Sequence, residues 1–154
     1  TVDRLDGAIR TATASIPVER RKLLTYHDAY AYFARDYDWT VVGAIQPSDF
    51  AEPSPREVAD LIDQVRAEKV EAIFGSEVFP SPVLEQVGRE TGARYIDMLR
   101  DDDLPGEPGA PEHSLLELLR FDYLTIVEAL GGDASALRDV DLTVPTADPA
   151  DYPQ

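Results

Sequence analysis

The chain has no cysteine, only two histidines, two lysines, one methionine and one tryptophan among 154 residues. Without cysteine it has no disulfide framework, no thiol nucleophile and no thiolate metal site. No apolar run approaches the ~18 residues that a membrane-spanning helix needs. Positive charge is scarce as well: 14 basic residues face 30 acidic ones, a formal net charge of −16. Nucleic acid and anionic membrane surfaces both demand a positive footprint, so neither is expected as a partner. Acidity of this size serves solubility and also attracts cations. No signal peptide is visible, and residue 1 already lies inside a helical pattern, so the chain reads as a fragment or a processed product.

At this length a single domain with an ordinary core is expected. Val2, Leu5, Ile9 and Ala12 recur at helical spacing over residues 1–15, and Pro17 closes that helix. A regular alternation follows. Strands are expected over residues 22–26, 40–44, 72–75 and 94–98, and helices over 28–37, 55–69, 82–91 and 112–130. Two helix starts are well marked. Ser54, Pro55 and Glu57 form a capping-box pattern, and Ser81 precedes Pro82. Gly92 marks the end of the third of these helices. Strands that alternate with helices predict an α/β fold: a four-stranded, mainly parallel sheet flanked by helices. Residues 133–154 are polar and proline-containing, with no clear period, and read as a loosely packed tail.

In such a sheet the ligand crevice lies beyond the carboxyl ends of the strands. His27 falls after the first strand, Gln46, Ser48 and Asp49 after the second, Ser76 and Glu77 after the third, and Asp101, Asp102 and Asp103 after the fourth. Neutral imidazole with carboxylates suits Zn²⁺, and Mn²⁺ or Fe²⁺ where more oxygen is supplied. The second histidine, His113, sits at the start of the last long helix and reads as a solvated first-turn residue. No Gly-x-Ser-x-Gly elbow and no glycine-rich phosphate loop is present, so nucleophilic and nucleotide chemistry are not expected and the chain does not read as an enzyme.

The stretch Thr25-Tyr26-His27-Asp28-Ala29-Tyr30-Ala31-Tyr32-Phe33 resembles the start of the carboxyl-terminal lobe of the zinc/manganese/iron solute-binding proteins of ABC transporters. The resemblance continues through residues 41–44, 47–54, 70–74 and 90–93, the Asp102 to Leu104 loop and the long last helix. It implies that His27 and Asp102 are metal ligands. Glu77, Asp101 and Asp103 would then be supporting or solvent-facing carboxylates. It further implies an extracytoplasmic location, a membrane permease as partner, and a divalent ion as cargo, zinc first and manganese or iron next. Members of that family have two lobes joined by a long helix, and the amino-terminal lobe gives two histidine ligands. By this likeness residues 1–15 are the end of the linking helix, 16–132 the carboxyl-terminal metal-binding lobe, and 133–154 a polar tail. The amino-terminal lobe is missing, so half of a four-ligand site is expected here. A homodimer that completes the site, or a lobe that serves as an interaction module, stands as the alternative.

Overall fold

The computed structural model describes residues 1–46, 53–77, 80–100 and 103–143. In chain order the elements are α1 (Val2–Ala14), β1 (Lys22–His27), α2 (Ala31–Tyr37), β2 (Thr40–Gln46), α3 (Pro55–Glu68), β3 (Ala72–Ser76), α4 (Pro82–Thr91), β4 (Arg94–Leu99), α5 (Leu115–Ala129) and α6 (Ser135–Asp139). The four strands form one sheet in the order β2-β1-β3-β4, and every pairing is parallel. This is the α/β sheet that the alternation predicts.

Side-chain alternation along the strands builds two cores, one on each face. Leu23, Ala72 and Phe74 point to the face covered by α1, α2, α5 and α6, where they meet Leu5, Ile9, Trp39, Ile126 and Leu137. Leu24, Tyr26 and Ile73 point to the opposite face, where Ile62 and Val65 of α3 and Leu84 and Val87 of α4 cover them. Strands buried on both faces are therefore almost continuously apolar, as in parallel sheets generally.

The local signals act as their chemistry requires. Ser54 Oγ accepts from the Glu57 N–H at 3.3 Å, and the Glu57 carboxylate accepts from the Ser54 N–H at 2.7 Å. This reciprocal box satisfies two donors that helix geometry leaves over. Ser54→Ala is expected to cost about 1 kcal/mol, read as a lower urea midpoint at unchanged slope; no shift would mean that the box is redundant with the Pro55 start. Gly92 takes the left-handed conformation, φ 80°, that ends α4.

The structure corrects the sequence reading of one segment and of two helix starts. Residues 133–143 are not a loosely packed tail: α6 lies against α1, Leu137 is fully buried, and Leu142 is buried with it. Asp141 accepts from Arg4 of α1 at 3.0 Å. Residues 144–154 lie outside the described residues. The helix expected from residue 28 begins at Ala31, with Tyr30 at the cap position and no side-chain cap bond. The helix expected from residue 112 begins at Leu115, because Ser114 provides the cap by accepting from the Glu117 N–H.

An aromatic group joins α2 to α5 over the first core. Phe33 stacks on Tyr123 with ring centroids 4.7 Å apart, and Tyr37 packs beside both. The Tyr37 hydroxyl donates to Asp6 of α1 at 2.9 Å. Burial first, then that hydrogen bond, push the Tyr37 hydroxyl up to about 12. A raised acid favours the folded state while it stays protonated. Its contribution is thus whole below pH ~10, where free tyrosine titrates, and is lost as pH rises through about 12. Tyr37→Phe is expected to flatten the fall in stability across that alkaline window, measured as urea midpoint against pH. A slope equal to the parent's would contradict this.

Candidate metal centre

A parallel sheet brings all its carboxyl ends to one edge. β1 lies between β2 and β3, so the chain leaves β1 in one direction to form β2 and later returns to build β3 and β4 on the other side. The reversal creates the topological switch point between the ends of β1 and β3, where open α/β sheets hold ligands. His27 is the last residue of β1, and Ser76 is the last of β3.

His27 is half-buried and on the Leu23 and Thr25 side of its strand. Its ring stands edge-on to Tyr26, centroids 4.7 Å apart at 83°. Its carbonyl accepts from Thr25 Oγ1 at 2.7 Å, which ties down the strand end. Opposite it in register is Gln46 at the end of β2. The Ser76 side is buried, 1% exposed, and pairs in register with Leu99 of β4.

Glu77 continues this edge. Its N–H donates to the Leu99 carbonyl at 3.1 Å, and its carboxylate pairs with the Arg100 guanidinium at 3.1 Å. The same guanidinium lies 3.6 Å from the Asp103 carboxylate, donates to the Asp103 carbonyl at 3.3 Å, and covers the Phe121 ring at 5.3 Å. Glu77 and Asp103 are thus both engaged by one arginine. Asp101 and Asp102 lie outside the described residues, as do Ser48 and Asp49. Among the described residues no group of three or more histidine, aspartate and glutamate side chains is arranged to hold an ion.

His113 differs from the sequence reading. It is buried at 7% exposure, ahead of the Ser114 cap, and its Nδ1 lies 3.2 Å from the Gly106 carbonyl. It belongs to the turn-rich 103–114 segment and not to the strand-end edge.

Two residues of this edge were not singled out by the sequence: Arg100 and Asp122. Asp122 is buried at 4% exposure on α5, and its Oδ1 accepts from the Arg100 N–H at 2.9 Å. A signal for it exists. Leu118, Asp122 and Ile126 follow one another at four-residue steps on the buried face of α5, so a carboxylate interrupts an apolar stripe.

The chain is thus a doubly wound α/β unit with an imidazole at its switch point and Glu77 and Asp103 on the same edge. The chain belongs to the family described as zinc-uptake complex component A, periplasmic (ZnuA), which matches residues 1–152. It is 31% identical over 130 residues to the iron-binding protein YfeA of Yersinia pestis, covering 84% of this chain and 42% of that protein. It is also 31% identical over 130 residues to the manganese-binding lipoprotein MntA of Bacillus subtilis, covering 82% of this chain and 42% of MntA. Among solved structures, the periplasmic zinc-binding protein TroA of Treponema pallidum superposes with a TM-score of 0.69 at 29% identity, over 84% of this chain and 48% of TroA. The chain spans less than half the length of each of these relatives.

Proposed function

We propose that this chain forms one lobe of a divalent-metal solute-binding protein, working outside the cytoplasm, that captures an ion as cargo and passes it to the membrane permease of an ABC transporter. The observation that carries this reading is His27 at the switch point of a sheet whose family matches nearly the whole chain. His27 and Asp102 are the ligands assigned to this chain. Arg100 and Asp103, which flank residues 101–102, sit at the strand-end edge with Glu77, and this supports Asp102 as the second ligand. Further ligands would come from the amino-terminal lobe, joined through α1.

Zinc is the first choice of cargo. The family is described by zinc uptake, and an imidazole beside a carboxylate suits zinc. The relatives named for iron and manganese make those ions the alternatives within the same ligand set. The reading is non-catalytic: binding and release, with the permease supplying directionality. An ion held by two protein ligands must complete its shell with water, so the chain alone should bind more weakly than a four-ligand site.

The test is a calorimetric Zn²⁺ titration of the metal-stripped chain beside Asp102→Ala. Saturable binding in the parent, lost in the variant, is the expected result. One ion per two chains would show completion by a homodimer. No binding by the parent would overturn the assignment of a half-site to this chain.

A further inference from the structure

We propose that Thr25 is a positioning residue for His27, its buried hydroxyl bending the end of β1 so that the imidazole is held at the switch point; as a role in metal capture, this rests on His27 being a ligand as proposed above. Thr25 is 2% exposed and is flanked in register by Ala44 of β2 and Phe74 of β3. Leu23, two residues earlier on the same side of β1, is apolar as well. A hydroxyl in such surroundings is unfavourable unless a hydrogen bond compensates it, and valine would match its shape without one. What the Thr25 hydroxyl does is donate, at 2.7 Å, to the His27 carbonyl.

The bond also fixes the shape of the strand end. Two residues of straight strand rise roughly 6.6 Å, which puts the carbonyl of the second beyond the reach of a side chain as short as threonine's. The 2.7 Å contact therefore requires the chain to bend back at His27. A second observation agrees. Adjacent side chains of a straight strand point to opposite faces, and Tyr26 does belong to the core under α3 and α4. The His27 ring nevertheless stands edge-on to Tyr26, centroids 4.7 Å apart at 83°. The imidazole has thus swung from the Thr25 side toward Tyr26, over the end of the strand. The bend comes where strand pairing gives out, since the register with β2 runs to His27 and Gln46, the last residues of the two strands. Beyond that point the Thr25 bond takes over from the sheet. A ligand side chain held in one orientation beforehand loses less freedom when an ion binds. Thr25 acts through the backbone of His27 and does not touch the ion, and Tyr26 is the wall on which the ring rests.

The experiment compares two variants in the full 154-residue chain. Thr25→Val keeps the branched shape and drops the hydroxyl; Thr25→Ser keeps the hydroxyl. On metal-stripped protein, NMR should show through-space contacts between the Tyr26 and His27 ring protons in the parent and in Thr25→Ser. In Thr25→Val they should be lost, with the amide protection of Leu23 and Leu24 unchanged. Calorimetric titration with Zn²⁺ should give an affinity about 10-fold weaker for Thr25→Val and close to the parent's for Thr25→Ser. Thermal unfolding checks that each variant is folded, and should Thr25→Val not fold, Thr25→Ala carries the same expectations. Unchanged ring contacts in the folded valine or alanine variant would overturn the positioning role, as would an equal loss in Thr25→Ser. Parent-like zinc affinity in a variant whose ring has moved would overturn its part in metal capture. Failure of the parent itself to bind zinc is a different result: it overturns the half-site reading and the part in capture with it, while the ring contacts still decide whether Thr25 holds His27.

Discussion

His27→Ala is expected to lower Zn²⁺ affinity about a hundredfold or more and to leave the thermal unfolding of the metal-free chain nearly unchanged. Structural zinc sites with four ligands are worth on the order of 10–16 kcal/mol, or about 3 kcal/mol per ligand. That is roughly two decades in the dissociation constant. In the two-ligand half-site proposed above, the loss of one ligand would leave a single carboxylate, which holds zinc only weakly against water. The fold should tolerate the change, because His27 is the last residue of its strand, is half-buried, and is not part of either core. The carbonyl that Thr25 grips is backbone and remains. Titration of the variant beside the parent decides the matter, and an unchanged affinity would remove His27 from the site.

Phe74→Ala should be the most destabilising single truncation in the chain. Phe74 is fully buried in β3, an interior strand, and faces the core that α1, α5 and α6 complete. Deleting its ring removes the largest of the fully buried side chains and leaves a cavity walled by elements that cannot all collapse inward. Such changes cost about 3–5 kcal/mol. Set against a net stability of about 5–15 kcal/mol for a domain, that is a loss of about a fifth at the least. For a chain of this size it corresponds to a drop in Tm of roughly 10 °C. A drop of only one or two degrees by calorimetry would mean that the sheet relaxes around the void.

The sequence showed clearly those features whose causes are local. The bounds of α4 follow from Ser81, Pro82 and Gly92, and the start of α3 from Ser54 and Glu57; all of these act within one turn of where they stand. The strand-end position of His27 was legible for the same reason: a strand followed by a helix places its last residue at the carboxyl edge of a parallel sheet. The features that were missed have distant causes. Leu137 and Leu142 are too few to show a period, and their burial is decided by the apolar face of α1, more than a hundred residues earlier. His113 is buried by a turn-rich segment that returns the Gly106 carbonyl to its ring. The Arg100 network joins Glu77, Asp103 and Asp122, residues that no spacing rule connects.

The docking of α6 on α1 bears on how the chain reaches its folded state. Leu5 and Ile9 share a core with Leu137 and Leu142, and Arg4 reaches Asp141 across 137 positions of sequence. Contacts of such span raise contact order and slow folding, since the intervening loop must close before they form. Until α6 docks, part of the apolar face of α1 has no cover, since α2 and Trp39 shield only some of it. Such a species is a natural client for a holding chaperone. The docking of α6 on α1 is therefore expected late in folding, after the sheet that lies between them in sequence has formed.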